Sequence, residues 1–324
     1  MDGAGAEESD SRRKELIMET VMTEQQSAAR LAALEAELAN FRSMMEFVHH
    51  IPDRVSLVEM DVFGQTFPLN GVLGGDHIIF VDFSRRYNLD ARIATALEQG
   101  RDEVVRRLRM CRARVGILVA DSAGHDMTDA LLTAMLHQAF LTGVLYELET
   151  QGHVTAKLFE VLNTRFAQSS SVNKFLTMIY GEISDEGTFR FISAGHPKPL
   201  IFSAEYDRLA DIDPERMKNV LPIGIFPSEG DIDEPVGEVR TPHQKKFSVN
   251  EVSLMGRGDI LLLQTDGLYE HADGERPYTP QHLEAAIRRV KHLPARDIVE
   301  AIRQDMVAFA PPKDDTSLVV IKRS

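Results

Sequence analysis

A single apolar run in the middle of the chain most constrains how it can fold. Residues 115–120 read Val-Gly-Ile-Leu-Val-Ala and end on Asp121, and a turn through Ala123-Gly124 follows before a helical pattern begins near Thr128. A short apolar run bounded by turn residues is typical of a buried strand. Because the sheet would fix the carboxylate at the end of that strand, Asp121 can hold a hard cation rigidly.

Three other stretches repeat this arrangement, namely Gly74-Gly75-Asp76, Thr265-Asp266-Gly267 and Lys313-Asp314-Asp315-Thr316. One aspartate at the end of a strand is most often a cap or turn residue, so the hypothesis depends on the set of four. Like charges gathered in one site repel unless cations neutralise them. Oxygen ligands without a paired His or Cys motif favour Mg²⁺ or Mn²⁺ over structural zinc. We therefore predict a two-metal centre that hydrolyses phosphate esters.

Composition excludes several classes of protein. The 324 residues carry a formal net charge of -14, which argues against non-specific nucleic-acid binding. No apolar run approaches the roughly 20 residues that span a bilayer, so we expect no membrane partner. Residues 1–10 lack the basic start and apolar core of a secretory signal. The single cysteine, Cys111, excludes an intramolecular disulfide and favours a reducing, cytoplasmic setting.

Three segments are predicted along the chain: a disordered N-terminus over 1–12, a helical coiled-coil or linker arm over 13–50, and a catalytic domain over 51–324. The arm has no Gly or Pro, and its apolar residues alternate by three and four positions. Those residues are Leu31, Leu34, Leu38, Phe41, Met45 and Val48. The pattern fits either a helix docked on its own domain or a parallel dimer helix, and Pro52 ends it.

The domain pattern begins with strands between 55 and 83, continues with one or two helices over 88–112, and then reaches the central strand. Two helices, further strands from 175 to 202, an irregular region over 203–250, and a last strand–helix–helix–strand series follow. Strands joined by hairpins favour antiparallel sheets with helices packed outside. We predict an α+β fold in which helices cover a β-sandwich.

At the aspartates the sequence resembles a known family. The ordered motifs are Gly74-Gly75-Asp76, Asp121-x-x-Gly-His125, Ser193-Ala-Gly-His-Pro197, Gly258 to Gly267 and Asp314 to Val320. Together they are similar to the SpoIIE-type bacterial members of the metal-dependent (PPM, type 2C) protein phosphatases, over about residues 60 to 322. No single motif decides this, but their order is specific.

The resemblance implies an αββα sandwich of two mainly antiparallel sheets with two Mn²⁺ or Mg²⁺ ions between them. Asp121 would bridge both ions, and the carbonyl of Ser122 would bind one of them. Asp266 and Asp314 would bind the second ion, and Asp76 would reach the cluster directly or through water. A water clamped by such ions would attack the phosphorus of a phosphoserine or phosphothreonine.

Several assignments stay open at this point. His125 either protonates the leaving oxygen or is an ordinary turn residue. Asp315 either lies behind the ligands or exchanges roles with Asp314. Asp126 replaces a glycine with which the family turn usually ends. The helical stretch 88–112 replaces a short hairpin, and its arginines form either a phosphoprotein-docking face or a solvated helix face.

The resemblance also implies a partner, a phosphorylated anti-sigma-factor antagonist, and we predict a homodimer through the 13–50 helix. Two alternatives belong to other classes. One is a non-catalytic partner-switching scaffold. The other is a diguanylate cyclase, whose signature begins like Gly74-Gly75-Asp76, although here His77-Ile78 follow instead of Glu-Phe.

Overall fold

The structure is a computed structural model, and it describes residues 4–48, 55–69, 74–124, 126–169, 174–210, 217–230, 242–254 and 256–324, with side chains in the first helix from residue 25 onward except Phe47. The chain divides into two compact units, Met1–Phe47 and Val48–Ser324. The sequence placed this boundary near residue 51.

The N-terminal unit is one helix, α1 (Ala4–Val48), of 45 residues. It begins before residue 13, so the helix is longer than the arm predicted over 13–50. Such an extension is favourable because each added residue of a nucleated helix gains a backbone hydrogen bond.

The strands, in chain order, are β1 (Met60–Phe67), β2 (His77–Asp82), β3 (Arg114–Ser122), β4 (Leu176–Ser184), β5 (Thr188–Ala194), β6 (Leu200–Ser203), β7 (Arg208–Leu209), β8 (Asn250–Ser253), β9 (Ile260–Gln264), β10 (Ala272–Asp273), β11 (Arg276–Pro277) and β12 (Thr316–Arg323). Within the described residues, ten of these strands form two five-stranded sheets, and β10 pairs with β11. Sheet A has the order β1-β12-β9-β6-β7, and sheet B has the order β2-β3-β4-β5-β8. Every strand pair within them is antiparallel.

The helices of the domain are α2 (Phe83–Arg86), α3 (Leu89–Glu98), α4 (Asp102–Cys111), α5 (Met127–Thr150), α6 (Ala156–Ser169), α7 (Asp266–Tyr269), α8 (Gln281–Val290) and α9 (Ala295–Phe309). The sequence predicted one or two helices over 88–112, and the structure has two, α3 and α4. Gly100 separates them at a positive φ of 67°.

The strand β3 shows how the layers pack. Val115, Ile117 and Val119 face a core shared with Leu261 and Leu263 of sheet A. The alternate residues of β3 pack instead with α3, α4, α5 and α6. On the other side, α8 and α9 cover sheet A. A strand buried on both faces explains the continuous apolar run, and the predicted αββα sandwich is confirmed.

Within the described part of the chain, α5 is the one helix that is long and apolar enough to cross a membrane by length and composition. Its residues Leu136, Phe140, Val144 and Leu148 are fully buried against sheet B. A core helix of a globular domain passes the same test, and this packing accounts for the apolar character of α5.

The region 203–250, predicted to be irregular, contributes β7 and the start of β8 to the two sheets. The Asn250 side chain fixes part of it, since its Oδ1 accepts from Lys218 N–H at 2.8 Å and its Nδ2 donates to Lys218 O at 2.9 Å. Residues 211–216 and 231–241 lie outside the described residues, so the irregular character predicted for them stays a prediction.

Candidate metal centre

The ends of two adjacent strands of sheet A bring two predicted ligands together. Gln264, the last residue of β9, pairs with Leu318 near the start of antiparallel β12. Asp266 follows β9 and Asp314 precedes β12, so both carboxylates lie at the same edge of sheet A.

Sheet B presents the other two carboxylates in the same way. His77, the first residue of β2, pairs with Ala120 of antiparallel β3. Asp76 and Asp121 are the next residues outward on these two strands. The Ser122 N–H donates to Gly75 O at 3.2 Å, which continues the pairing beyond β2. Asp76 and Asp121 are therefore neighbours at one edge.

A hydrogen bond joins the two edges. Thr265 follows β9 of sheet A, and Asp76 precedes β2 of sheet B. The Thr265 hydroxyl donates to Asp76 Oδ2 at 2.7 Å. Ser317 N–H in turn donates to Thr265 Oγ1 at 2.8 Å. Because Thr265 is fully buried and Asp76 is 3% exposed, this connection is sealed from solvent. The four predicted metal ligands are thus gathered where the two sheets meet.

Asp315 supports the loops around this place. Its Oδ2 accepts from Gly75 N–H and its Oδ1 from Leu69 N–H, each at 2.7 Å. The loop at Gly74 packs so closely that a Cβ there would lie 2.2 Å from Asp315 Oδ2. Asp314 is exposed, by contrast. Both carboxylate oxygens of Asp315 bind the backbone, which favours Asp314 as the metal ligand of the pair.

The pKa shifts show that the carboxylates act on one another. Burial raises the pKa of Asp76 to about 8, partly offset by the Thr265 hydrogen bond, and the charge of Asp315 raises it further. Burial, followed by the charges of Asp76, Asp266 and Asp314, raises the pKa of Asp121 to about 9. Acidic groups this close are costly to ionise without positive charge among them.

Asp266 interacts electrostatically with the same group of carboxylates. Burial and then the neighbouring charge of Asp314 raise the pKa of the Asp266 carboxyl. Backbone N–H groups at the start of α7 act in the opposite direction. Asp266 therefore stands at a helix start that favours its charged form and beside a carboxylate that opposes it.

The backbone around Ser122 is packed tightly. Ser122 O accepts from Gly124 N–H at 2.6 Å, and Ser122 Oγ donates to Gly124 O at 3.2 Å. A Cβ on Gly75 would lie 2.1 Å from Gly124 O. Only glycine at position 75 permits this approach of the two turns. The Ser122 carbonyl, the predicted ligand, keeps a second lone pair beside its bond to Gly124.

The donors present fit hard divalent cations. They are carboxylate and carbonyl oxygens, the ligands that Mg²⁺ and Mn²⁺ prefer. Within the described ranges, no three His, Cys, Asp or Glu side chains are already arranged as a metal-binding group. Mg²⁺ commonly keeps several waters and takes only one or two carboxylates, so a closed protein cage is not required.

Comparison with known proteins identifies the family. The family model described as Stage II sporulation protein E (SpoIIE) matches residues 112–324. The chain belongs to the SpoIIE family. A search of curated proteins found no significant match. The match includes β3, β9 and β12 and therefore Asp121, Asp266 and Asp314.

Solved structures share the fold. The SiaA-PP2C domain of Pseudomonas aeruginosa matches with a TM-score of 0.60 at 16% identity, over 92% of this chain and 100% of that one. The RsbU and RsbW domains of Rv1364c from Mycobacterium tuberculosis match with a TM-score of 0.54 at 20% identity, over 83% of this chain. The SpoIIE PP2C phosphatase domain with a regulatory fragment from Bacillus subtilis matches with 0.54 at 14%, over 82%. This chain spans 61% and 64% of those last two chains. The SpoIIE-family domain therefore has the fold of PP2C phosphatase domains.

An ion pair that the sequence did not reveal holds the turn after Asp121 in this SpoIIE-family domain. Lys174 Nζ lies 2.6 Å from Oδ1 of Asp129, a carboxylate with no solvent exposure. Asp129 Oδ2 accepts from Asp126 N–H at 3.1 Å. The spacing of Asp126 and Asp129, a cap residue and a carboxylate three positions later, is the signal that identifies this helix start.

The remaining candidates have distinct places in the domain. His125 lies outside the described residues, so its predicted role as a general acid stays a prediction. Asp126 has φ of -90°, so the family's glycine is not needed there. His196 Nδ1 lies 2.9 Å from Oγ1 of Thr177, and burial lowers the pKa of His196 to about 3. His196 is therefore a neutral, buried ring.

Burial raises the pKa of the Cys111 thiol to about 12, which does not suit a nucleophile.

The arginines of α4 are largely paired. Arg106 and Arg107 both bond Glu103 of the same helix, at 2.6 and 2.7 Å. These contacts favour the interpretation of a solvated helix face.

Proposed function

We propose that this SpoIIE-family chain is a metal-dependent protein serine/threonine phosphatase that hydrolyses phosphoserine or phosphothreonine on a partner protein. One observation carries the proposal: Asp76, Asp121, Asp266 and Asp314 gather where the two sheets meet, and burial together with neighbouring carboxylate charges raises the pKa values of Asp76, Asp121 and Asp266. Membership of the SpoIIE family leaves the cyclase alternative without support.

The residues that would hold two Mn²⁺ or Mg²⁺ ions are Asp121 as a bridge, the Ser122 carbonyl, Asp266, Asp314 and Asp76. Such ions, when bound, supply a water of lowered pKa and positive charge opposite the phosphoryl oxygens. The acidity of the cluster favours this occupancy, because divalent cations offset the mutual repulsion that raises the pKa of Asp121.

Other residues of the chain hold the ligand oxygens in place. Thr265 fixes the orientation of Asp76, and Asp315 fixes the Gly75 loop from behind. Lys174 anchors Asp129, which bonds the turn that follows Asp121 and Ser122. Ligands positioned before the substrate arrives need little reorganisation during the reaction, which is how such sites accelerate phosphoryl transfer.

The openness of the site supports a macromolecular substrate. Asp314 is exposed, and Asp121 and Asp266 are partly exposed, so the cluster borders solvent. A phosphorylated side chain on the surface of another protein can reach such an edge. Protonation of the leaving serine or threonine oxygen is assigned to His125 as part of the proposal.

The resemblance to SpoIIE-type phosphatases supports a phosphorylated anti-sigma-factor antagonist as the partner, in a cytoplasmic setting. We also place a homodimer contact on α1. Leu31 and Leu34, at coiled-coil spacing, are more than half exposed in the single chain. Apolar residues repeated along one seam favour a second helix over them.

Hydrolysis of p-nitrophenyl phosphate and of a phosphoserine protein, with and without Mn²⁺, tests the proposal. Turnover is expected only with the metal, and Asp266→Asn is expected to lower it at least 100-fold, because it removes a ligand charge. Asp273→Asn, at the exposed end of β10, is the matched control and should keep full turnover. Complete inactivity of folded, metal-loaded protein would favour the scaffold alternative.

A further inference from the structure

A cavity of about 180 Å³ lies on the helix-covered face of sheet B. It includes Arg114, at the start of β3, whereas Asp121 stands seven residues later near the end of the same strand. That separation is roughly 23 Å along the strand. The cavity is therefore distinct from the carboxylate cluster.

Charged residues on three adjacent strands form its floor. Glu182 of β4 pairs in register with Gly116 of β3 on one side and with Arg190 of β5 on the other. Arg114 Nη1 lies 3.4 Å from Glu182 Oε2, and Tyr180 Oη donates to Glu182 Oε1 at 3.0 Å. Glu182 is thus held by Arg114 and Tyr180, and the lining has two guanidinium groups for one carboxylate.

The two arginines retain capacity to bind an anion. A guanidinium carries five donors, and the one described bond of Arg114 is long. Arg190 pairs with Glu251 at 3.3 Å, but both side chains are more than half exposed. Surface pairs of this kind contribute little, so Arg190 can turn to a bound anion at small cost.

Rings and aliphatic side chains form the walls. The rings of Phe159 and Tyr180 lie 5.0 Å apart between centroids, and Val154, Ile192 and Val249 complete the apolar lining. An apolar cavity of about 150 Å³ binds benzene. The space of about 180 Å³ therefore suits one aromatic ring with a small substituent.

We propose that this cavity binds a small planar aromatic carboxylate, with its ring against Phe159 and Tyr180 and its carboxylate on Arg114 and Arg190. Apolar walls with a few convergent polar groups are the usual composition of small-molecule sites. Arginine matches the planar carboxylate through paired donors. The inference does not depend on the proposed phosphatase activity.

Titration of the full-length protein with benzoate and with its neutral isostere benzamide, followed by calorimetry or ligand-observed NMR, tests this site. Benzoate is expected to bind with a Kd of about 1 mM or lower, and benzamide at least about tenfold more weakly. Equal binding of the two probes, or binding of neither, would overturn the proposal.

Two variants locate the site. Ala156→Phe fills the cavity and should abolish benzoate binding, whereas Ala139→Phe on the exposed side of α5 should leave it unchanged. Arg190→Gln should weaken benzoate at least about threefold and leave benzamide as it was. Arg190 is largely exposed, so this variant remains informative if Ala156→Phe does not fold. Undiminished benzoate binding by folded Ala156→Phe, or by Arg190→Gln, would contradict the site.

Discussion

The Thr265 hydroxyl donates to Asp76 Oδ2 at 2.7 Å, across the place where the two sheets of the sandwich meet. The two residues are 189 positions apart in the chain. Their bond links a strand end of sheet A to the carboxylate that precedes β2 of sheet B. The relationship explains how ligands from distant parts of the sequence keep one geometry.

Thr265→Val should weaken both the fold and metal binding. The change keeps the shape of the side chain but removes the donor to Asp76 and the acceptor for Ser317 N–H. A loss of about 1–3 kcal/mol in the free energy of unfolding is expected for buried groups left unpaired, measured by urea denaturation. The Mn²⁺ concentration needed for half-maximal turnover should rise. Thr150→Val, at the end of α5, removes a hydroxyl that, within the described residues, bonds only Tyr146 O of the same helix and should change neither quantity. Equal effects of both variants would contradict the role of Thr265.

The metal-free protein should lose stability as pH rises. The pKa values of Asp76 and Asp121 lie near 8 and 9 in the fold, against an ordinary value of 3.8. The folded state therefore binds more protons than the unfolded chain between about pH 4 and 9, so the free energy of unfolding falls across this window. Thermal unfolding in EDTA from pH 5 to 9 measures the effect.

Asp121→Asn should flatten that pH dependence and raise the Tm of the metal-free protein at pH 8, because it removes one of the repelling charges. Each kcal/mol corresponds to about 2–4 °C in a domain of this size. Asp273→Asn changes an exposed carboxylate that is distant from Asp121 in the sequence. This variant should show the same dependence of Tm on pH as the native protein. A Tm for Asp121→Asn below that of the native protein at pH 8 would show that the carboxylates do not repel in the fold.

Lys174→Met should destabilise the turn after Asp121. Asp129 would keep its bond from Asp126 N–H but lose the ammonium group at 2.6 Å, leaving a fully buried carboxylate without a cation. We expect a loss of about 2 kcal/mol, because Lys174 is itself partly exposed and water compensates in part. Arg106→Met, which breaks an exposed pair on α4, should not change the free energy of unfolding. If the two variants behave alike in denaturation, Lys174 does not anchor the turn.

Deletion of residues 1–50 should change both oligomeric state and turnover. Light scattering is expected to give a dimer for the full chain and a monomer for the truncated one. In the full-length protein, Leu31→Glu together with Leu34→Glu should also give monomers, because charges at a coiled-coil seam are destabilising. Exposed Glu37→Gln is the control. A truncated protein with the same oligomeric state and the same turnover as the full chain would contradict the proposed α1 dimer.

The sequence alone predicted much of this arrangement because its signals are local. The apolar run before Asp121 indicated β3, and the helical pattern over 88–112 indicated α3 and α4. The ordered aspartates indicated one site, since antiparallel neighbours bring strand ends to a common edge. These features depend on a few adjacent residues and can therefore be recognised from the sequence alone.

The roles that the sequence did not settle depend on contacts between distant residues. Asp314 and Asp315 are chemically identical, and the structure separates them only because Asp315 is buried against the Gly75 loop while Asp314 is exposed. Lys174 and Asp129 are 45 positions apart, so no local pattern pairs them. The short strand β8 has one apolar residue among four, and the sequence analysis predicted no strand there.

Diffraction from crystals of the full-length protein soaked in Mn²⁺, recorded to give an anomalous difference map, tests the central claim most directly. We predict two peaks about 3.5–4 Å apart, each within coordination distance of Asp121, with Asp266 and Asp314 around one of them. A map in which Mn²⁺ binds elsewhere, or in which no peak lies among Asp76, Asp121, Asp266 and Asp314, would contradict the account.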